Sequence, residues 1–208
     1  AGRVDLAAEA IRLTRLLLLE SDEPEVAGLL ALMLLHHARE PARFDDHGAL
    51  VPLDAQDRTL WNSGEIEDGV RVLQRALARD RHGEYQLQAA IAALHDDAAS
   101  ADETDWPQIL AWYDELVALT DNPAAQLSRA VAVGEVDGPL AGLKATEGLD
   151  ERLGPHHRLD AVRAHLHERA GDTDLAAELY ARAAQRSRST AERDHLRKQA
   201  ARLRNLSA

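Results

Sequence analysis

"AGDTDLAAELYARAA", residues 170–184, decides how this chain is read. Gly171 and Ala176 are small, Tyr180 follows Ala176 by four positions, and Ala183 lies three beyond that. Positions three and four apart share a helix face, so Ala176, Tyr180 and Ala183 form one stripe. The small members let a second helix come close, and the ring fills the gap between helix pairs. "GVRVLQRAL" (69–77) offers the same stripe as Gly69, Leu73 and Ala76. The stripe predicts helices packed in pairs.

Outward from this stretch the helical period recurs along the whole chain. The spacing predicts helices over Val4–Glu20, Pro24–Arg39, Glu65–Asp80, Tyr85–Ala99, Asp105–Leu119 and Ala124–Val133. A short seventh follows "DGP", and three more lie near His156–Ala170, Asp174–Arg186 and Thr190–Leu206. Pro24 suits a first helical turn, Pro41 stops the helix before it, and Asp105 is placed to N-cap the fifth. No stretch alternates over a strand's length, although "RFDDHGALV" (43–51) suits a small hairpin around His47–Gly48. The fold class is all-α, with about ten helices and an irregular insertion around residues 41–61.

The small–large–small spacing resembles the tetratricopeptide (TPR) repeat. Tyr113 precedes Tyr180 by 67 residues, close to two repeats of roughly 34. The match is degenerate, because Asp160, Arg163 and His167 stand where the first helix of the last repeat should be apolar. The expectation is a single TPR-like domain over residues 1–208, an α-superhelix of antiparallel hairpins. Leu196, Ala200 and Leu203 make a narrow stripe suited to a capping helix over residues 189–206.

Composition narrows the function classes. Hydrophobic residues are 45% but aromatics only 3%, so the core must come mainly from Leu, Ala and Val, which favours close helix packing. With no cysteine, disulfides and thiolate zinc sites are excluded. The longest apolar run, Val26–Leu35, is too short to span a bilayer, and "AGRVDLAAEA" lacks a signal-peptide core, so a cytoplasmic location is expected. The net charge of −12 argues against phosphate-driven nucleic-acid binding by the whole chain. Charge is uneven: residues 182–204 hold eight Lys or Arg against two acids, while 95–105 hold five acids and no Lys or Arg.

The residues offer little to chemistry. His36 and His37 are adjacent, and His165 and His167 are two apart, neither of which aims two imidazoles at one ion on a helix. "DDHG" (45–48) lacks the spaced acids and final Glu of a calcium loop, and a turn held by Asp side chains with Gly48 at positive φ is preferred. No phosphate loop or nucleophile elbow is present. Neither enzyme activity, a metal nor a cofactor is expected.

Several stretches carry a more specific resemblance: "EAIRLTRLL", "PEVAGLLALMLLHHAREPARFDDHGALVPLDAQDRTLW", "YQLQAAIAALHDDAASADETDWPQILAWYDEL" and "LSRAVAVGEVDGPLAGL". Together they resemble the C-terminal TPR-containing region of a subfamily of extracytoplasmic-function (ECF) bacterial RNA polymerase sigma factors. The resemblance covers nearly the whole chain, and Gln56-Asp57-Arg58…Trp61 with "YQLQAAIAA" is its most specific part. Ser128 departs from it, since Asn is the family's residue there. The resemblance implies a regulatory extension of the two conserved sigma regions, neither of which is visible here. Partners would then be the sigma regions of the same full-length protein or core RNA polymerase, with DNA reached only through those regions and no membrane contact. A ligand sensor, binding a small molecule or peptide in the superhelix groove, is the alternative.

Two sets of residues are candidates for recognition. The first is Phe44, Asp45, Gln56, Asp57, Arg58 and Trp61, with Gln86 and Gln88 on the fourth helix. Here Trp61 would anchor a partner, with Asp57 and Arg58 beside it. The packing alternative has Asp57 cap the third helix, Arg58 pair with an acid and Trp61 plug a gap, and it is preferred because a chain this poor in aromatics needs them inside. Gln86 and Gln88 would line a groove or bond to the backbone of 41–61. The second set is the basic tail, Arg193, Arg197, Lys198, Arg202 and Arg204, for which a solvated capping face is the default.

Overall fold

A computed structural model describes residues 6–206. Among them are eleven α-helices, and the only extended pairing is at isolated positions 44 and 50. The helices are α1 (Leu6–Ser21), α2 (Pro24–Ala38), α3 (Ser63–Leu77), α4 (Glu84–Asp97), α5 (Trp106–Thr120) and α6 (Pro123–Val136). They continue as α7 (Pro139–Ala145), α8 (Leu149–Leu153), α9 (His157–Arg169), α10 (Thr173–Arg186) and α11 (Thr190–Leu206). The all-α expectation holds. The expected start at Val4 lies outside the described residues. Helix α8 escaped the periodicity because five residues cannot show it, and it sits between two positive-φ glycines, Gly148 (77°) and Gly154 (63°).

Local chemistry sets the helix ends. Asn62, Asp105, Asn122 and Asp172 each accept a hydrogen bond from a backbone N–H two or three residues on. Pro24, Pro123 and Pro139 occupy first turns, where a missing N–H costs nothing.

The chain forms two compact units. The first holds the residues up to Phe44 with Val51–Thr120, and the second holds Asp45–Leu50 with the residues from Asp121 onward. In the first unit α2 is central and packs on α1, α3 and α4. Its Leu30, Ala31, Leu34, Leu35 and Ala38 are all buried. Glycine brings the axes together: a Cβ on Gly28 would lie 2.6 Å from the Gln86 backbone nitrogen of α4, and one on Gly69 of α3 would meet Leu35 at 3.0 Å. Gly69, Leu73 and Ala76 are buried on α3, as their stripe predicts. Glu25 of α2 reaches the start of α4, accepting from the Tyr85 N–H (2.6 Å) and the Gln86 amide (3.3 Å). It thereby caps a helix whose own N-cap residue is Gly83, which has no side chain to offer.

In the second unit α6 packs on α7, α8 and α9, while α10 lies between α9 and α11. Ala176, Tyr180 and Ala183 are buried with Leu196, Ala200 and Leu203, so the stripe of α10 meets that of α11. The residues that broke the apolar pattern of α9 are accommodated by ion pairs. Asp160 is only 3% exposed and accepts from Arg182 (2.6 Å) and Arg186 (2.5 Å), which clamps α9 to α10. Arg163 reaches Asp150 (2.6 Å) and the Thr146 carbonyl (3.0 Å). His167 Nδ1 lies 3.4 Å from the Asp172 carboxylate. Ser128 is exposed on α6.

Candidate functional site

The segment between α2 and α3 is ordered by its own turns and then docked. It leaves α2 through Arg39 and a 3-10 turn at Glu40–Ala42 containing Pro41. The turn that follows is held by Asp45, whose carboxylate accepts from the N–H groups of His47 (2.9 Å) and Ala49 (2.8 Å), which holds it below the usual carboxylate range. Gly48 has φ 76°, the left-handed backbone this turn requires. The expected small hairpin is therefore present, as two backbone bonds: Asp45 N–H to Ala49 O and Val51 N–H to Arg43 O, both 3.0 Å. Further 3-10 turns follow at Leu53–Ala55 and Arg58–Leu60. The Asn62 N–H then donates to the Ala38 carbonyl (2.9 Å), so the excursion ends where it began.

Docking is done by arginines against the last turn of α4. Arg58 donates to the carbonyls of His95 (2.6 Å) and Ala98 (2.8 Å). Arg39 donates to the Ala92 carbonyl (2.6 Å) and pairs with Asp96. The His95 and Ala98 carbonyls lie at the end of the helix, where carbonyls lack intrahelical donors and the dipole favours cations, while Ala92 lies one turn earlier. Both guanidinium groups lie over Trp61, at 4.6 Å for Arg58 and 5.5 Å for Arg39. Trp61 is 8% exposed, and its Nε1–H donates to Gln56 Oε1 (3.2 Å), whose amide in turn donates to the Val51 carbonyl (3.2 Å).

The charges in this cluster perturb their neighbours. Burial, aided by Arg39 and Arg58, pushes the His95 imidazole down to about 4, so it is neutral at pH 7. Its ring meets Trp106 edge-on at 5.3 Å. Burial pushes the Asp96 carboxyl up against the pull of Arg39, and Asp96 Oδ2 is buried without a hydrogen-bond partner.

The structure brings Gln56, Arg58 and Trp61 together, with Asp57 beside them, and corrects three expected contacts. Asp57 does not cap α3. It accepts from the Thr59 N–H (2.9 Å) and caps the 3-10 turn, while Asn62 caps α3, because the chain turns once more before the helix begins. Arg58 pairs with carbonyls, not with an acid. Gln86 is wholly buried at the opposite end of α4, where it donates to Glu25 (3.3 Å) and the Arg81 carbonyl (2.8 Å). It neither lines a groove nor touches 41–61. Gln88 donates to Glu84 within α4 (3.0 Å). Phe44 stays half exposed at 48%, beside the Asp45 turn.

In the second unit the basic tail is partly occupied. Arg202 donates to Glu168 (2.5 Å), Arg197 lies 3.7 Å from Asp194, and Arg193 donates to Thr190 (3.2 Å). Lys198 and Arg204 are exposed, and the charge of Lys198 acts on Asp45. Among the described residues no three His, Asp or Glu side chains are arranged to hold a metal ion, and no helix is long and apolar enough to cross a membrane. Arg39, Asp96 and Glu25 are the participants that sequence reasoning missed. Arg39 was readable as a cation just past a helix end, but nothing local marks its partner.

Residues 1–77, which include the docked segment, match a family described as "Family of unknown function (DUF6596)". The chain is similar along 196 residues to the Uncharacterized protein R00370 of Rhizobium meliloti (strain 1021), at 42% identity. That match takes in 94% of this chain and 46% of the relative, so the chain spans about half the relative's length. No solved structure matches the chain.

Proposed function

We propose that this chain is a non-catalytic, TPR-like interaction module of an ECF-type sigma factor, modulating transcription initiation through contacts with the sigma regions or core RNA polymerase. The observation that carries the reading is the packing of α2, which lies against both α3 and α4, as the first helix of a hairpin does when the next hairpin stacks on it. The buried small–large–small stripes on α3 and α10 support the same reading. So does the resemblance carried by Gln56-Asp57-Arg58…Trp61, whose side chains stiffen the 41–61 segment and leave Phe44 and Leu60 half exposed for contact. Arg58 is used in helix-end bonds and Asp45 and Asp57 in local turns, so these side chains hold the segment in shape, which supports recognition over catalysis.

The test is calorimetric titration of the chain with a separately produced two-region sigma fragment, and then with core polymerase, at two salt concentrations. Binding to the fragment identifies an intramolecular regulator, and binding to polymerase alone identifies an adaptor. Absence of heat with both, from a folded sample, overturns the proposal.

A further inference from the structure

A cavity of about 320 Å³ opens in the first unit where the end of α1, the α1–α2 turn and the last turns of α3 meet. That volume is within the range of sites that enclose small ligands. Its wall is apolar, formed by Leu18, Pro24, Ala27, Val72 and Ala76. Four charged side chains also line it, and three of them are already satisfied. Arg79 donates to the Asp22 carbonyl (2.5 Å) and carboxylate (2.8 Å), while Glu23 lies 3.4 Å from Arg81. The fourth, Arg75, has no hydrogen bond or ion pair among the described residues. An apolar cavity edged by one exposed guanidinium with no protein partner among the described residues suits a molecule with one negative charge and an aliphatic body.

We propose that this cavity binds a medium-chain aliphatic carboxylate, with its tail against the apolar wall and its carboxylate on Arg75. The site is independent of the sigma-factor reading. Its occupant would contact α1, α2 and α3 together, and α1 is the helix that gains most, because only Ile11 and Thr14 of it are buried. Ligand binding is thus linked to the anchoring of α1.

The test uses the full chain at pH 7 with octanoate, octan-1-ol and octylamine as probes, read by thermal unfolding and by hydrogen exchange of α1. Octanoate is expected to raise the midpoint and slow exchange in α1, while the alcohol and the amine do neither. Arg75→Gln removes an exposed, unpaired group, so it leaves the fold intact and weakens octanoate binding by about tenfold or more. Ala27→Leu, which fills the cavity, abolishes binding, with circular dichroism verifying its fold. Equal stabilisation by all three probes, no stabilisation by octanoate, or unchanged affinity in Arg75→Gln overturns the assignment.

Discussion

Arg58 shows how one side chain can fix a segment. Its two carbonyl bonds and its place over Trp61 use the planar fork of a guanidinium, which an ammonium cannot reproduce. Arg58→Ala is expected to lower stability by about 2 kcal/mol, and Arg58→Lys to recover less than half of that, as urea denaturation will measure. His95, next to it, makes stability depend on pH. Its folded pKa of about 4 lies below the ordinary value of 6.5, so the folded state binds fewer protons between those limits. Stability from this residue is complete above about pH 6.5 and is lost as pH falls toward about 4, by roughly 3 kcal/mol in all. Subtracting the pH–stability curve of His95→Gln from that of the parent will show this loss, and parallel curves would refute it.

Among the elements, α2 is held at a separation only glycine permits. The Cβ of Gly28→Ala would sit 2.6 Å from the backbone nitrogen and 2.9 Å from the Cα of Gln86, and backbone cannot swing aside as a side-chain tip can. The substitution is expected to cost about 1–3 kcal/mol despite the better helix propensity of alanine, measured by chemical denaturation. It would also disturb Glu25, which caps α4 from this face of α2. Element boundaries were legible where a cap or proline lies in the sequence, as at Pro24 and Asp105. They were not legible at α8, which depends on two left-handed glycines rather than a repeating pattern.

For the molecule as a whole, net charge governs behaviour in solution. At −12 and a pI near 5.2 the chain is self-repelling at neutral pH and loses that repulsion on acidification. Light scattering is expected to show association strongest near pH 5 and absent at pH 8. The acidic run at 95–105 is not uniformly solvated surface, since Asp96 has a fully buried side chain paired with Arg39.

By itself the sequence determined ten of the eleven described helices, the starts at Pro24 and Asp105, the apolar stripes of α3, α10 and α11, and the Asp45–Gly48 turn. Each of these patterns repeats over residues a few positions apart and so is visible along the chain, although the stripes are buried only when a neighbouring helix covers them. Tertiary structure alone decided where the 41–61 segment docks. Arg58 bonds to carbonyls 37 and 40 residues away, Arg39 to one 53 residues away, and Glu25 caps a helix 60 residues on. The partners of these side chains are backbone groups, carbonyls for the arginines and an N–H for Glu25, which recur at almost every position of any chain. Only the placing of one helix end beside another makes a particular one available.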